Sequence, residues 1–169
     1  PDQIGFTIEG ANNMNRPAGE TSWIDVLPYN GDGRGPDFQG TVSLLGVDLT
    51  SSDEVVVSLT SQPPGLLNIN PNDPSNQPGG TTVWCTVSEV TSAAPGCPAM
   101  GDVTAIRVTH LTLDAGDYGS LHFTMQPVGN AEGDIYHNRT SRGVSEELTL
   151  GVPESNQVFV EVVASTIGD

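Results

Sequence analysis

The segment NGDGRGPDF, residues 30–38, carries the densest set of side chains that could do chemistry. Asn30, Asp32 and Asp37, with a backbone carbonyl near Arg34, set oxygen donors along a glycine-rich stretch able to fold back on itself. Ca2+ asks this of a loop, because a hard cation of its size takes roughly six to eight oxygens. The EF-hand spacing is not met: position 28 is proline, and no glutamate stands at the twelfth place. The competing reading is a tight hairpin whose Asn-Gly and Asp-Gly pairs supply positive φ. Asp134, in GNAEGD, is a turn residue with a smaller claim. Ca2+ is thus a possible ligand, and no cofactor is required.

Other chemistries find less support. The chain has no lysine, so a Lys–Asn isopeptide lacks its nucleophile. A Thr–Gln ester between first and last strands would need Thr7 and Gln157, yet both alternate with core residues and are expected to face outward. Hydrolytic triads need a Ser or Cys beside a histidine, and no G-x-S-x-G elbow is present. The three histidines, His110, His122 and His137, have no metal-ligand spacing, and His122 is expected on the outward face of its strand. GDGRG follows a strand but opens no helix, so it does not match a dinucleotide fingerprint. Carbohydrate sites on sandwiches use exposed aromatics. Trp23 and Trp84 fall in expected strands, where burial is the commoner fate, while Tyr29, Tyr118 and Tyr136 are too far apart to form a platform.

The elements that must position these residues read as strands. Ile4, Phe6 and Ile8 alternate with Gly5, Thr7 and Glu9, a half-buried strand with period two. Val55, Val57 and Leu59 repeat the pattern, as do Leu121, Phe123 and Met125, then Val158, Val160 and Val162. Residues 24–27, 40–45, 81–87, 104–110 and 146–150 complete about nine strands, separated by turn clusters such as NGDGRGPD, QPPG and NPNDPSNQPGG. With 20 Gly and 13 Pro punctuating 169 residues, no helical apolar period survives beyond about a dozen residues. Many short strands without intervening helices predict an all-β sandwich in a single domain, residues 1–169. The loops at 68–80 and 88–100 are its elaborations.

Charge excludes some partners. The 21 Asp and Glu stand against five Arg, a net charge of −16. Five scattered arginines cannot make the basic stripe that nucleic acid or an anionic membrane surface requires. No apolar run approaches the roughly 18 residues of a membrane helix, so no membrane insertion is expected. Pro1 opens without a signal-like segment, and a signal or anchor is expected outside this stretch.

Four phrases together resemble a known family: WIDVLPYNGDGRGPDFQGTVSL (23–44), NPNDPSN (70–76), LTLDAGDYGSLHFTM (111–125), and GNAEGDIYHNRTS leading into SNQVFVEVVA. Their order is similar to the conserved-repeat domains of large actinobacterial cell-surface proteins. There a collagen-adhesin B-type module typically follows, which Ile167, Gly168 and Asp169 would begin. The resemblance implies an Ig-like β-sandwich, extracellular and without catalytic residues, cut from a longer multidomain surface protein. It implies a non-enzymatic spacer or adhesive module, monomeric, in contact with neighbouring domains of its own chain. The alternative is a tip domain that recognises a host protein or glycan through the 68–100 loops. In such a fold LTLDAGDYGSLHF looks like a crossing between sheets, with a leucine plugging the core and Asp117 fixing the turn. His110 and His122 would then lie on different sheets, whereas a simple hairpin about Gly116 would set them opposite one another. In an extracellular chain Cys85 and Cys97 are expected to form a disulfide. Zinc, the rival, wants four ligands, and no second cysteine pair exists. The Asn138-Arg139-Thr140 sequon has meaning only in a eukaryotic secretory route.

Overall fold

The computed structural model describes residues 3–52, 54–144 and 154–163. Among them are ten strands: β1 (Ile4–Ala11), β2 (Thr21–Val26), β3 (Thr41–Ser51), β4 (Val55–Thr60), β5 (Cys85–Thr86), β6 (Ala105–His110), β7 (Tyr118–Val128), β8 (Ile135–Asn138), β9 (Thr140–Val144) and β10 (Val158–Glu161). The one α-helix, α1, is Val87–Thr91. A three-stranded sheet in the order β1-β7-β3 faces a five-stranded sheet in the order β5-β4-β6-β2-β9, and β10 pairs with β8 in a separate ribbon. All pairings are antiparallel. The all-β sandwich expected from turn spacing is the fold observed.

Alternation decides which side chains meet between the sheets. Ile4 and Phe6 of β1, and Leu121, Phe123 and Met125 of β7, turn inward onto Trp23, Leu59, Ile106 and Val108 of the larger sheet. The rings of Phe6 and Phe123 lie 5.8 Å apart. Thr7 and His122 face solvent, as their parity requires. Leu45 is the extra residue where the β3–β7 register shifts between Leu44 and Gly46, and this bulge carries β3 on to Ser51, well past the expected end.

β2 differs from its neighbours because both of its faces are buried. Trp23 and Asp25 point into the sandwich. Ile24 points out, into a second cluster with Leu67, Ala105, Val26 and Trp84. The long β4–β5 connection lies over this outer face of the larger sheet. Asn76 pins it, donating to the carbonyls of Asn68 and Asn70 and accepting from the Trp84 indole at 3.3 Å. Arg107 of β6 donates to the Asn76 carbonyl at 2.7 Å, and burial pulls its guanidinium below the ordinary arginine value.

Several expectations need correcting. The strand expected over 81–87 shrinks to Cys85–Thr86, because Thr86 and Glu89 form a reciprocal capping box that starts α1 at Val87. Trp84 consequently sits outside any strand and is only half-buried. β8 and β9 were not expected as strands. The strand expected at 146–150 lies outside the described residues. The crossing between sheets is present: Leu113 is buried, the Asp117 carboxylate accepts from Asp114 N–H at 2.9 Å, and His110 and His122 fall on different sheets.

Candidate functional site

The 28–38 turn starts where β2 ends. Gly31 and Gly33 take the left-handed conformation, with φ of 83° and 71°, which lets the chain double back within a few residues. Asn30, Asp32 and Asp37 are brought together, and each is spent on the turn itself. Asn30 brackets Phe38, donating to its carbonyl at 2.7 Å and accepting its N–H at 2.9 Å. Asp37 accepts the Gly31 N–H at 2.6 Å. Asp32 accepts the Arg34 N–H at 2.8 Å and the Arg34 Nε–H at 2.7 Å. The Arg34 carbonyl accepts from Gln157 Nε2 at 2.7 Å.

Below the turn lies a polar cluster that sequence reasoning missed. Arg34 is 9% exposed, and its guanidinium reaches the Val26 and Leu27 carbonyls at 2.8 and 3.0 Å and Asn138 Oδ1 at 3.2 Å. Asn138, at the end of β8, donates in turn to Asp25 Oδ2 at 2.7 Å. Asp25 is 1% exposed and shares the inward face of β2 with Trp23, a position that alternation would give to an apolar residue. Its Oδ1 has no hydrogen-bond partner among the described residues. Burial pushes the Asp25 carboxyl up to about 7, against the opposing pull of the Asn138 hydrogen bond and the Arg34 charge. At neutral pH and below, this group is an acid that can carry its proton inside the fold. Asn138 is itself buried, with its amide committed to Asp25, so the sequon offers no acceptor nitrogen at the surface.

Tyr136, two residues before Asn138, is fully buried against Phe38 with ring centroids 4.4 Å apart. Burial and the nearby Asp134 charge push its phenol up. Asp134 serves as a turn residue, accepting from Ala131 N–H and Gln39 N–H at 2.6 and 3.1 Å.

The remaining candidates are separated. Cys85 and Cys97 are bonded, with Cα atoms 5.8 Å apart, and the loop they close contains α1. Thr7 Oγ1 contacts His122 Nδ1 at 3.1 Å, while Gln157 is held by Arg34 and His137, so the two ester candidates are engaged on different sheets. Thr7, His122 and Asp48 form a row across three strands. Both ring nitrogens of His122 face threonine hydroxyls, Thr7 and Thr124, so no acid orients the imidazole as a triad needs. His110 is buried against Trp23.

Comparison with known protein families and with curated proteins gives no match. A concavity of about 550 Å3 lies at the far end of the sandwich beside Trp23, Asn12, Arg142 and Glu154. Its most buried amide, Asn12, is used up on Arg16, Leu113 and Met14 backbone groups. Among the described residues no group of three or more His, Cys, Asp or Glu is placed to hold a metal ion.

Proposed function

We propose that this chain is a non-enzymatic structural module of an extracellular surface protein, acting as a spacer or adhesive bead. The observation that carries the reading is the inward turn of its loop chemistry. Asn12, Asn30, Asp32, Asp37, Asp73, Asn76, Asp117 and Asp134 each bond backbone groups of their own turns or of adjoining segments. Such side chains hold a shape and leave little for a substrate. The disulfide fits an oxidising compartment. No helix among the described residues is long and apolar enough to cross a membrane.

A second reading, a ligand-binding tip built from the 68–100 loops, is favoured by apolar side chains left exposed there: Val83 at 60% and Ile69 at 40%, with Leu66 nearby at 73%. Against it, the 61–84 connection lies down on a sheet face rather than projecting. It also starts at the end where both described chain ends leave: Ile4 pairs with Met125 near the close of β7, and Val162 bonds Asp134 just beyond. The test is binding of the isolated domain to a panel of extracellular-matrix proteins and glycans. The spacer reading expects no saturable binding above an unrelated acidic sandwich. Saturable binding abolished by Val83→Asp or Leu66→Asp would replace it with the tip reading.

A further inference from the structure

The surroundings of the Arg34 guanidinium are those of a bound cation. Four oxygens contact it: Asp32 Oδ2, the Val26 and Leu27 carbonyls, and Asn138 Oδ1, at 2.7 to 3.2 Å. Three of the four come from outside the turn, from the end of β2 and from β8. The scaffold therefore builds most of the cage, and the turn contributes the cation and one carboxylate. We propose that this cage is a cation-binding site whose resident cation is the protein's own Arg34 side chain, clamping the 30–37 turn to the sandwich without a free metal ion.

Charge balance favours a tethered monocation over a divalent metal. Carbonyl and amide oxygens carry no net charge, so Asp32 alone neutralises the guanidinium. A divalent ion in the same place would call for a second anion, and among the described residues the other carboxyl of the cluster, Asp25, is held back behind Asn138. Shape points the same way, because a planar fork of five N–H donors suits acceptors spread around its edge better than a point charge does. The backbone of the segment is fixed from the opposite side. Gln157 bonds the Arg34 carbonyl, and Gly35 lies so close to His137 that a β-carbon there would meet the ring.

Chemical rescue tests the site. Arg34→Ala removes what amounts to an ethylguanidinium ion, and its thermal unfolding is compared with wild type in ethylguanidinium, in ethylammonium and in buffer alone, at matched ionic strength. The expected result is a lower Tm for the variant, more than half recovered by ethylguanidinium, less by ethylammonium, and no rise in wild type with either. Equal effects of both cations on variant and wild type would overturn the proposal. So would a wild-type Tm raised selectively by Ca2+ over Mg2+ and abolished by Asp32→Ala, since the turn would then hold a metal with Arg34 in place. Should Arg34→Ala fail to fold unaided, the yield on refolding from urea reads the same quantity, and no gain with ethylguanidinium counts against the site. Arg34→Met, similar in size but uncharged, must melt below wild type; equal melting also sinks the idea.

Discussion

Asp25 should make the sandwich lose stability as pH rises, and Asp25→Asn should remove that dependence. Burial raises the folded carboxyl from its ordinary 3.8 to about 7, so between those values the folded chain keeps a proton that the unfolded chain has released. Stability rises with pH only where the unfolded state binds more protons. Here the folded state binds more, so the contribution is complete below about pH 4 and is lost as pH rises through about 7. At ~1.4 kcal/mol per pH unit, the loss across the window is about 4 kcal/mol. Arg34 is the charged group facing Asp25, and Asp32 lies on that guanidinium's far side. The assay is urea unfolding of both proteins from about pH 4 to about pH 8, read as the difference between them at each pH. Subtraction cancels the contributions that the two proteins share. Wild type should lose ground to the variant steadily up to neutrality and level off above it. A flat difference would refute the reasoning, since it would mean that Asp25 is already ionised in the fold across this range, whether as an ordinary carboxyl or as one held by Arg34.

Two further outcomes follow from the disulfide and from the second core. Intact mass without reductant should be two hydrogens below that of the reduced chain, and replacing both Cys85 and Cys97 by Ser should cost about 3 kcal/mol for a loop this short; two free thiols in the native protein would contradict the bond. Leu67→Ala should cost about 2 to 3 kcal/mol. Its effect on hydrogen exchange should concentrate in residues 61–84, leaving β7 protected; uniform loss of protection would show that the second cluster is not a separable unit.

Short-range pattern was legible in the sequence, and long-range pairing was not. Period-two alternation placed Phe6, Phe123 and Met125 inside and Thr7 and His122 outside, because one face of each strand meets the opposite sheet. The Thr86-x-x-Glu89 capping box was present in the sequence but was absorbed into an expected strand, so α1 was missed. Asn30, Asp32 and Asp37 share one turn, as their closeness in sequence requires. The turn's partners were not legible, since the Asn138 that joins Arg34 to Asp25 lies more than a hundred residues away from either. An acid at inward parity on β2 was the one available signal for the buried cluster, Trp23 and Asp25 standing two apart on the same face. Parity alone cannot name what such an acid meets.

β2 has a consequence for the order in which the chain can fold. Its neighbours Trp23 and Ile24 belong to different cores, and its two partner strands, β6 and β9, come some eighty and nearly 120 residues later. Contacts of such separation form late, because loop closure must precede any reward from pairing. Until residue 110 has been made both edges of this twice-buried strand lack partners, and until residue 144 one edge still does, the state in which chains associate wrongly. The strand that joins the two cores is thus also the segment that most needs shielding while the chain is being made, by a chaperone or by rapid completion.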